Sequence, residues 1–153
     1  MELAPETASR YVHLAFRQML AVVDRLGDAK VNERPISSRT NAVAPLVVHC
    51  CGLAEFWLGH VGLGRDSDRD RDSEFTATAT VEELHTAVDV ALRQIDADLA
   101  ALEAGAESPH AAHRAALFGE EDRSDAALVL HVIEELFQHL GHCEIVVDAL
   151  APT

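Results

Sequence analysis

The side chains best suited to chemistry crowd into the last stretch of the chain, Ser124–Leu150. At a helical 100° per residue, His131, Glu135, His139 and His142 fall within an arc of about 80°. Leu128, Val132, Leu136, Leu140, Cys143 and Val147 make the adjoining apolar stripe. One helix therefore carries a core face and a polar ladder along its border. Glu135 and His139 stand at i and i+4 and can point at a single atom, with His142 one turn beyond. A carboxylate bordering the core is costly unless paired or coordinated. Glu135 thus needs a partner: a metal ion, an arginine such as Arg17, or a neighbouring histidine. Glu134 is rotated by about 100° and faces solvent. A third ligand from another helix would complete a metal site, and His49 is the leading candidate. Two neutral imidazoles and one carboxylate suit Zn²⁺ with an open fourth position, and also Fe²⁺ or Ni²⁺. His131 or His142 could replace His139, hydrogen-bond a ligand, or serve as a base on the substrate side. Spacing alone leaves this metal site and a hydrogen-bonded polar seam inside a bundle both open.

Four amphipathic segments must position these residues. Glu6–Leu26 reads as a first helix, with Tyr11, Leu14, Ala15, Met19, Val22, Val23 and Leu26 at helical spacing and Gly27 placed to end it. His13 lies off that stripe and is expected at the surface. After a link over Asp28–Thr40, a second helix is expected from about Asn41 to Gly62, capped by Thr40 or Asn41, with Pro45 tolerable in or near its first turn. His49 sits on the flank of its apolar face, where a residue turned toward a space between helices belongs. His60 is eleven residues further on, or about 16 Å along the axis. His60 and His49 cannot bind one ion, and His60 is expected at the surface.

Gly64–Thr78 includes RDSDRDRDSE, a mixed-charge run without apolar periodicity, expected to be a solvated loop. Thr80 followed by Glu83 is a capping box, and Leu84, Val88, Ala91, Ile95, Leu99 and Leu102 carry a third helix to Gly105. His85 is off its stripe. Between Ala106 and Arg123 the pattern weakens, and a short helical turn is expected around Ala111–Leu117. His110 and His113 are three apart, but with no carboxylate or cysteine at matched spacing they are set aside as ligands. Ser124 or Asp125 caps the fourth helix. Four such segments and no alternating strand predict an all-α protein, a four-helix bundle with long connections between helices.

The 153 residues fit one domain, 1–153, long enough to bury a core. Hydrophobic residues make up 48% and charged ones 25%, which argues against general disorder. A net charge of −14 disfavours nucleic acid and anionic membrane surfaces as partners, since binding to either depends on cationic side chains. The N-terminus has no basic segment followed by an apolar run, and no window reaches an uninterrupted membrane span, so the expected address is the cytoplasm. Cys50, Cys51 and Cys143 form no CxxC and are expected to be reduced, mostly buried thiols.

The stretches TNAVAPLVVHCCGLAEFWLGHVGLGR (40–65) and LHVIEELFQHLGHCEIVVDAL (130–150) resemble the second and fourth helices of the DinB-like bundle superfamily. The likeness is to its actinobacterial branch and the related mycothiol-dependent isomerases and S-transferases. The opening PETASRYVHLAF and the RDRDSEF segment fit as well, so the resemblance spans nearly the whole chain. It implies a divalent metal at the base of a pocket, held by His49 from helix 2 and by Glu135 and His139 from helix 4. Many relatives have histidine where this chain has Glu135, and the isomerase branch resembles it in using glutamate. His142 stands where others often have glutamine or an acidic residue.

The resemblance further implies thiol chemistry. A thiol such as mycothiol, activated by Zn²⁺ or by Ni²⁺ or Fe²⁺, would attack an electrophilic substrate, with His142 or His131 assisting proton transfer. The expected partners are thus a small-molecule thiol and an electrophile, within a chain that could form a homodimer. A metal-dependent hydrolase using water, and a non-catalytic bundle with a structural polar seam, are the alternatives.

Overall fold

The computed structural model describes residues 3–35, 40–106, 110, 112–114 and 124–150. Among these residues all regular structure is helical. α1 spans Pro5–Lys30 and α2 Val43–Ala54, which continues without a break as a π-helical stretch, Glu55–Gly62. A four-residue α3, Arg71–Glu74, precedes α4, Val81–Glu103, and the last helix, α5, spans Asp125–Leu150. α1 packs on α4 and α5, and α2 packs on the same pair, so α1 and α2 lie across a diagonal of the bundle.

The helices begin and end for local reasons. Pro5 opens α1, where its missing N–H is not needed. Gly27 takes φ 63°, ψ 178°, outside helical values, and breaks the run at the position its sequence marks. α2 differs from expectation at its start: Ala42 is the N-cap and offers no side-chain oxygen. The α4 capping box forms as expected, with Thr80 Oγ1 accepting from the Glu83 amide at 3.2 Å and Glu83 Oε2 accepting from the Thr80 amide at 2.7 Å. Ser124 caps α5, its Oγ accepting from the Ala127 amide at 3.1 Å. Of the turn expected near Ala111–Leu117, residues 112–114 are helical, and 111 and 115–117 lie outside the described residues.

The interior is built from Phe16 and Met19 of α1, Leu46 of α2, Leu58 of the π stretch, Leu84 and Ile95 of α4, and Leu128 and Leu136 of α5, all fully buried. Val43–Gly62 is long and apolar enough to cross a membrane, but 61% of its most apolar window is buried, as in a core helix. It is this helix that carries His49 into the middle of the bundle.

Candidate metal centre

His49 is 2% exposed, midway along α2. Its Nδ1 lies 2.7 Å from Glu74 Oε2. A carboxylate only accepts, so Nδ1 carries the proton and donates it, and the lone pair of the neutral ring is left on Nε2. Arg69 Nη2 also approaches Nδ1, at 3.3 Å. It is itself a donor and is already committed to Glu74, with Nε to Oε1 at 2.7 Å and Nη2 to Oε2 at 2.8 Å. This two-pronged pairing fixes the carboxylate in the plane of the guanidinium.

Room for Glu74 comes from a glycine. A Cβ built on Gly52, one turn after His49 on the same helix face, would collide with Glu74 Oε1. Phe75 closes the other side of the imidazole at a ring separation of 4.4 Å, and Arg71 lies over Phe75 at 5.1 Å.

From α5, His139 brings its ring to 4.7 Å from that of His49, edge to face at 78°. Its Nε2 is 3.5 Å from Glu135 Oε2. His49 and Glu135 are thus joined through His139, which neighbours both. Burial pushes the His49 pKa down, against the raising effect of Glu74. Burial does the same to His139, helped by His49 and His142 and opposed by Glu135. Both rings are therefore held neutral near pH 7, the form in which imidazole binds a cation.

The other histidines of the ladder separate. His142 is half-buried and close enough for its charge to act on His139. His131 instead stands edge to face on Trp57, at 4.8 Å, and its Nδ1 is 3.8 Å from Glu134. His131, Glu134 and Glu135 each bring one ligand atom within 4.8 Å of the others, and so do His60, His110 and His113. Arg17 is exposed beside His13 and His85 in a groove away from Glu135. His13 pairs with Asp96 and His85 with Asp24 at the surface.

Burial pushes Cys51 and Cys143 up to about 12, and Cys50 well above its ordinary value, so none is a thiolate at neutral pH. A cavity of about 700 Å³ lies against the outer side of the Arg69–Glu74 pair and is lined also by Cys51, Val90 and Gln94. A larger one, about 990 Å³, lies by Pro5, Leu99, Ser124 and Val129. Neither includes His49, Glu135 or His139.

Sequence reasoning missed Arg69 and Glu74, which belong to the run read as a solvated loop. Glu74 is 8% exposed, and its carboxylate is the partner of a proposed ligand. One signal was available: His49 and Gly52 are three apart, and a glycine inside an apolar helix is unfavourable by about 1 kcal/mol relative to alanine unless another group needs the space.

At the centre of the helical bundle, two imidazoles held neutral and a carboxylate stand side by side, a donor set of the kind that suits a divalent cation. The mycothiol-S-transferase family model matches residues 7–151, and the chain belongs to that family, within the DinB-like superfamily. Transfer of a small thiol is accordingly its class of reaction. No curated protein and no solved structure matches the chain.

Proposed function

We propose that the chain is a metal-dependent S-transferase or isomerase in which His49, Glu135 and His139 hold a divalent cation, Zn²⁺ first and Ni²⁺ or Fe²⁺ next, and a thiol such as mycothiol is joined to an electrophile. The observation that carries this reading is the Glu74–His49 hydrogen bond at 2.7 Å, which leaves the lone pair on Nε2 of a ring whose centre is 4.7 Å from that of a second neutral imidazole. Metal-bound histidines almost always donate their other N–H to a carboxylate, carbonyl or water in this manner. The donor set fits a borderline divalent ion, and coordination asks Glu135 to turn from its 3.5 Å pairing with His139 toward the space facing His49.

A bound cation would lower the proton affinity of a thiol sulfur and so favour its anionic form. The residues of the chain do the rest. Glu74 and Arg69 keep His49 in one tautomer and one orientation. Phe75 shields that ring from water. His142, beside His139, takes the proton that the thiol gives up on becoming the thiolate, and passes it to the leaving group or to the addition product once the S–C bond has formed. His131 is the alternative base, although its contacts with Trp57 and Glu134 turn it toward another part of α5.

On this reading the partners are a small thiol and a small electrophile in the cytoplasm, and neither nucleic acid nor membrane is required. The test is direct. Protein purified without an affinity tag should bind an equivalent of Zn²⁺ at this centre that is lost in His49→Ala and in Glu135→Gln. Conjugation of an activated aryl halide should depend on both that ion and added mycothiol. Equal turnover with and without thiol would instead indicate a hydrolase, and a Zn²⁺ stoichiometry that His49→Ala leaves unchanged would leave a structural seam.

A further inference from the structure

We infer a second cation site, formed by His60, His110 and His113, at the surface of the bundle and separate from the centre described above. One ring nitrogen from each of these histidines lies within 4.8 Å of the other two. The rings of His60 and His110 are stacked at 4.1 Å, and His113 is 6.0 Å from His60 and 5.8 Å from His110, centre to centre. Sequence spacing set His110 and His113 aside because no third donor stood nearby. The third donor comes from the π-helical stretch, half a hundred residues earlier, and could not be counted by local spacing.

The site is built around His60. Its Nδ1 is 2.8 Å from the backbone oxygen of Arg65, and since a carbonyl only accepts, Nδ1 carries the proton and Nε2 is left as the ligand atom. That carbonyl is itself pinned. The Arg65 amide donates to the Gly59 oxygen at 2.9 Å, and its guanidinium makes two bonds to Asp98, at 2.8 and 2.9 Å. Asp98 is 2% exposed and also accepts from Gln94 Nε2 at 2.8 Å. A Cβ at Gly59 would occupy the place of the Arg65 guanidinium, so glycine here leaves Arg65 free to reach Asp98. Phe56 stacks on His60 at 5.2 Å and so limits how its ring can turn.

Three imidazoles without an acidic member select borderline cations, Zn²⁺, Cu²⁺ or Ni²⁺, over Mg²⁺ or Ca²⁺. A three-histidine set leaves a fourth position open. Binding requires the His110 ring to swing off its stack so that its nitrogen can face the ion. The ion would then tie the connection between α4 and α5 to the π stretch that continues α2.

The experiment is Zn²⁺ titration of the full, untagged chain by calorimetry. His110→Gln/His113→Gln should bind one ion fewer than wild type while keeping the wild-type circular dichroism spectrum. His113→Gln alone, an exposed position, should weaken that ion roughly tenfold or more. His49→Ala/His139→Ala should retain it. If the central site binds nothing, wild type takes one ion and the His110/His113 variant none, so failure of the two readings is distinguishable. Full retention of wild-type stoichiometry and affinity by the His110/His113 double variant overturns the inference.

Discussion

At the scale of single residues, the centre is decided by what stands behind the histidine. His49 alone is a buried imidazole among apolar neighbours, and its two nitrogens would be interchangeable. Glu74 removes that symmetry, and Arg69 offsets the charge of Glu74, which is itself only 8% exposed. Glu74→Ala should therefore lower Zn²⁺ affinity by about 10- to 100-fold. Competition with a chromophoric chelator reads this directly, and an unaltered affinity would mean that Glu74 serves packing alone.

Protons should compete in the same place. His49 and His139 have folded values below the ordinary 6.5, so between those values the unfolded chain binds protons that the folded chain refuses. The metal-free protein should keep its stability above about pH 6.5 and lose it steadily as pH falls below that value. Urea midpoints over that range should show a flatter slope in His139→Gln. That Glu135 and His139 lie side by side on α5 was legible because a regular helical period brings i and i+4 together. Glu74 was not legible, since a mixed-charge run gives no phase from which an inward-facing carboxylate can be picked out.

At the scale of elements, glycines mark where a helix gives way to something else. At Gly52 that something is Glu74, and Gly52→Ala should displace the carboxylate, with a loss of Zn²⁺ affinity comparable to that of Glu74→Ala and little change in helix content. Gly141 is the contrasting case. A Cβ there would meet nothing within 4 Å, so Gly141→Ala should stabilise α5. The gain should be about 0.5–1 kcal/mol, seen as a rise of roughly 1–4 °C in melting temperature. If that substitution stabilises the fold and yet suppresses transfer, the space between Leu140 and His142 is used by substrate.

Helix starts were readable where a side chain caps them, as at Thr80 and Ser124. The start of α2 was misplaced because Ala42 takes the cap position by backbone shape alone. The π stretch could not be read at all, since an apolar segment looks the same in either winding. Yet that winding ends at Gly62, beside which the chain turns so that Arg65 can reach both Asp98 and His60.

At the scale of the molecule, a net charge of −14 on 153 residues works against compactness. Raising ionic strength from about 0.01 to 0.15 M shortens the screening length from roughly 30 to 8 Å. The melting temperature should rise over that interval, and a flat response would show that the charges are already locally balanced. Four amphipathic segments foretold a bundle, but the long connections left its topology open, because hydrophobic periodicity says which face is buried and not against which neighbour. The diagonal placement of α1 and α2 leaves α2 packed directly on α5, so that both halves of the proposed centre come from helices in contact.

The clamp on His49 is carried by α3, a single turn whose Glu74 amide reaches the Asp70 carbonyl only at 3.4 Å. Such a turn opens far more readily than the bundle beneath it. Hydrogen exchange should find its amides unprotected long before those of α2 or α5 are released. The ion would then come and go on the clock of that one turn, while the rest of the protein stays folded.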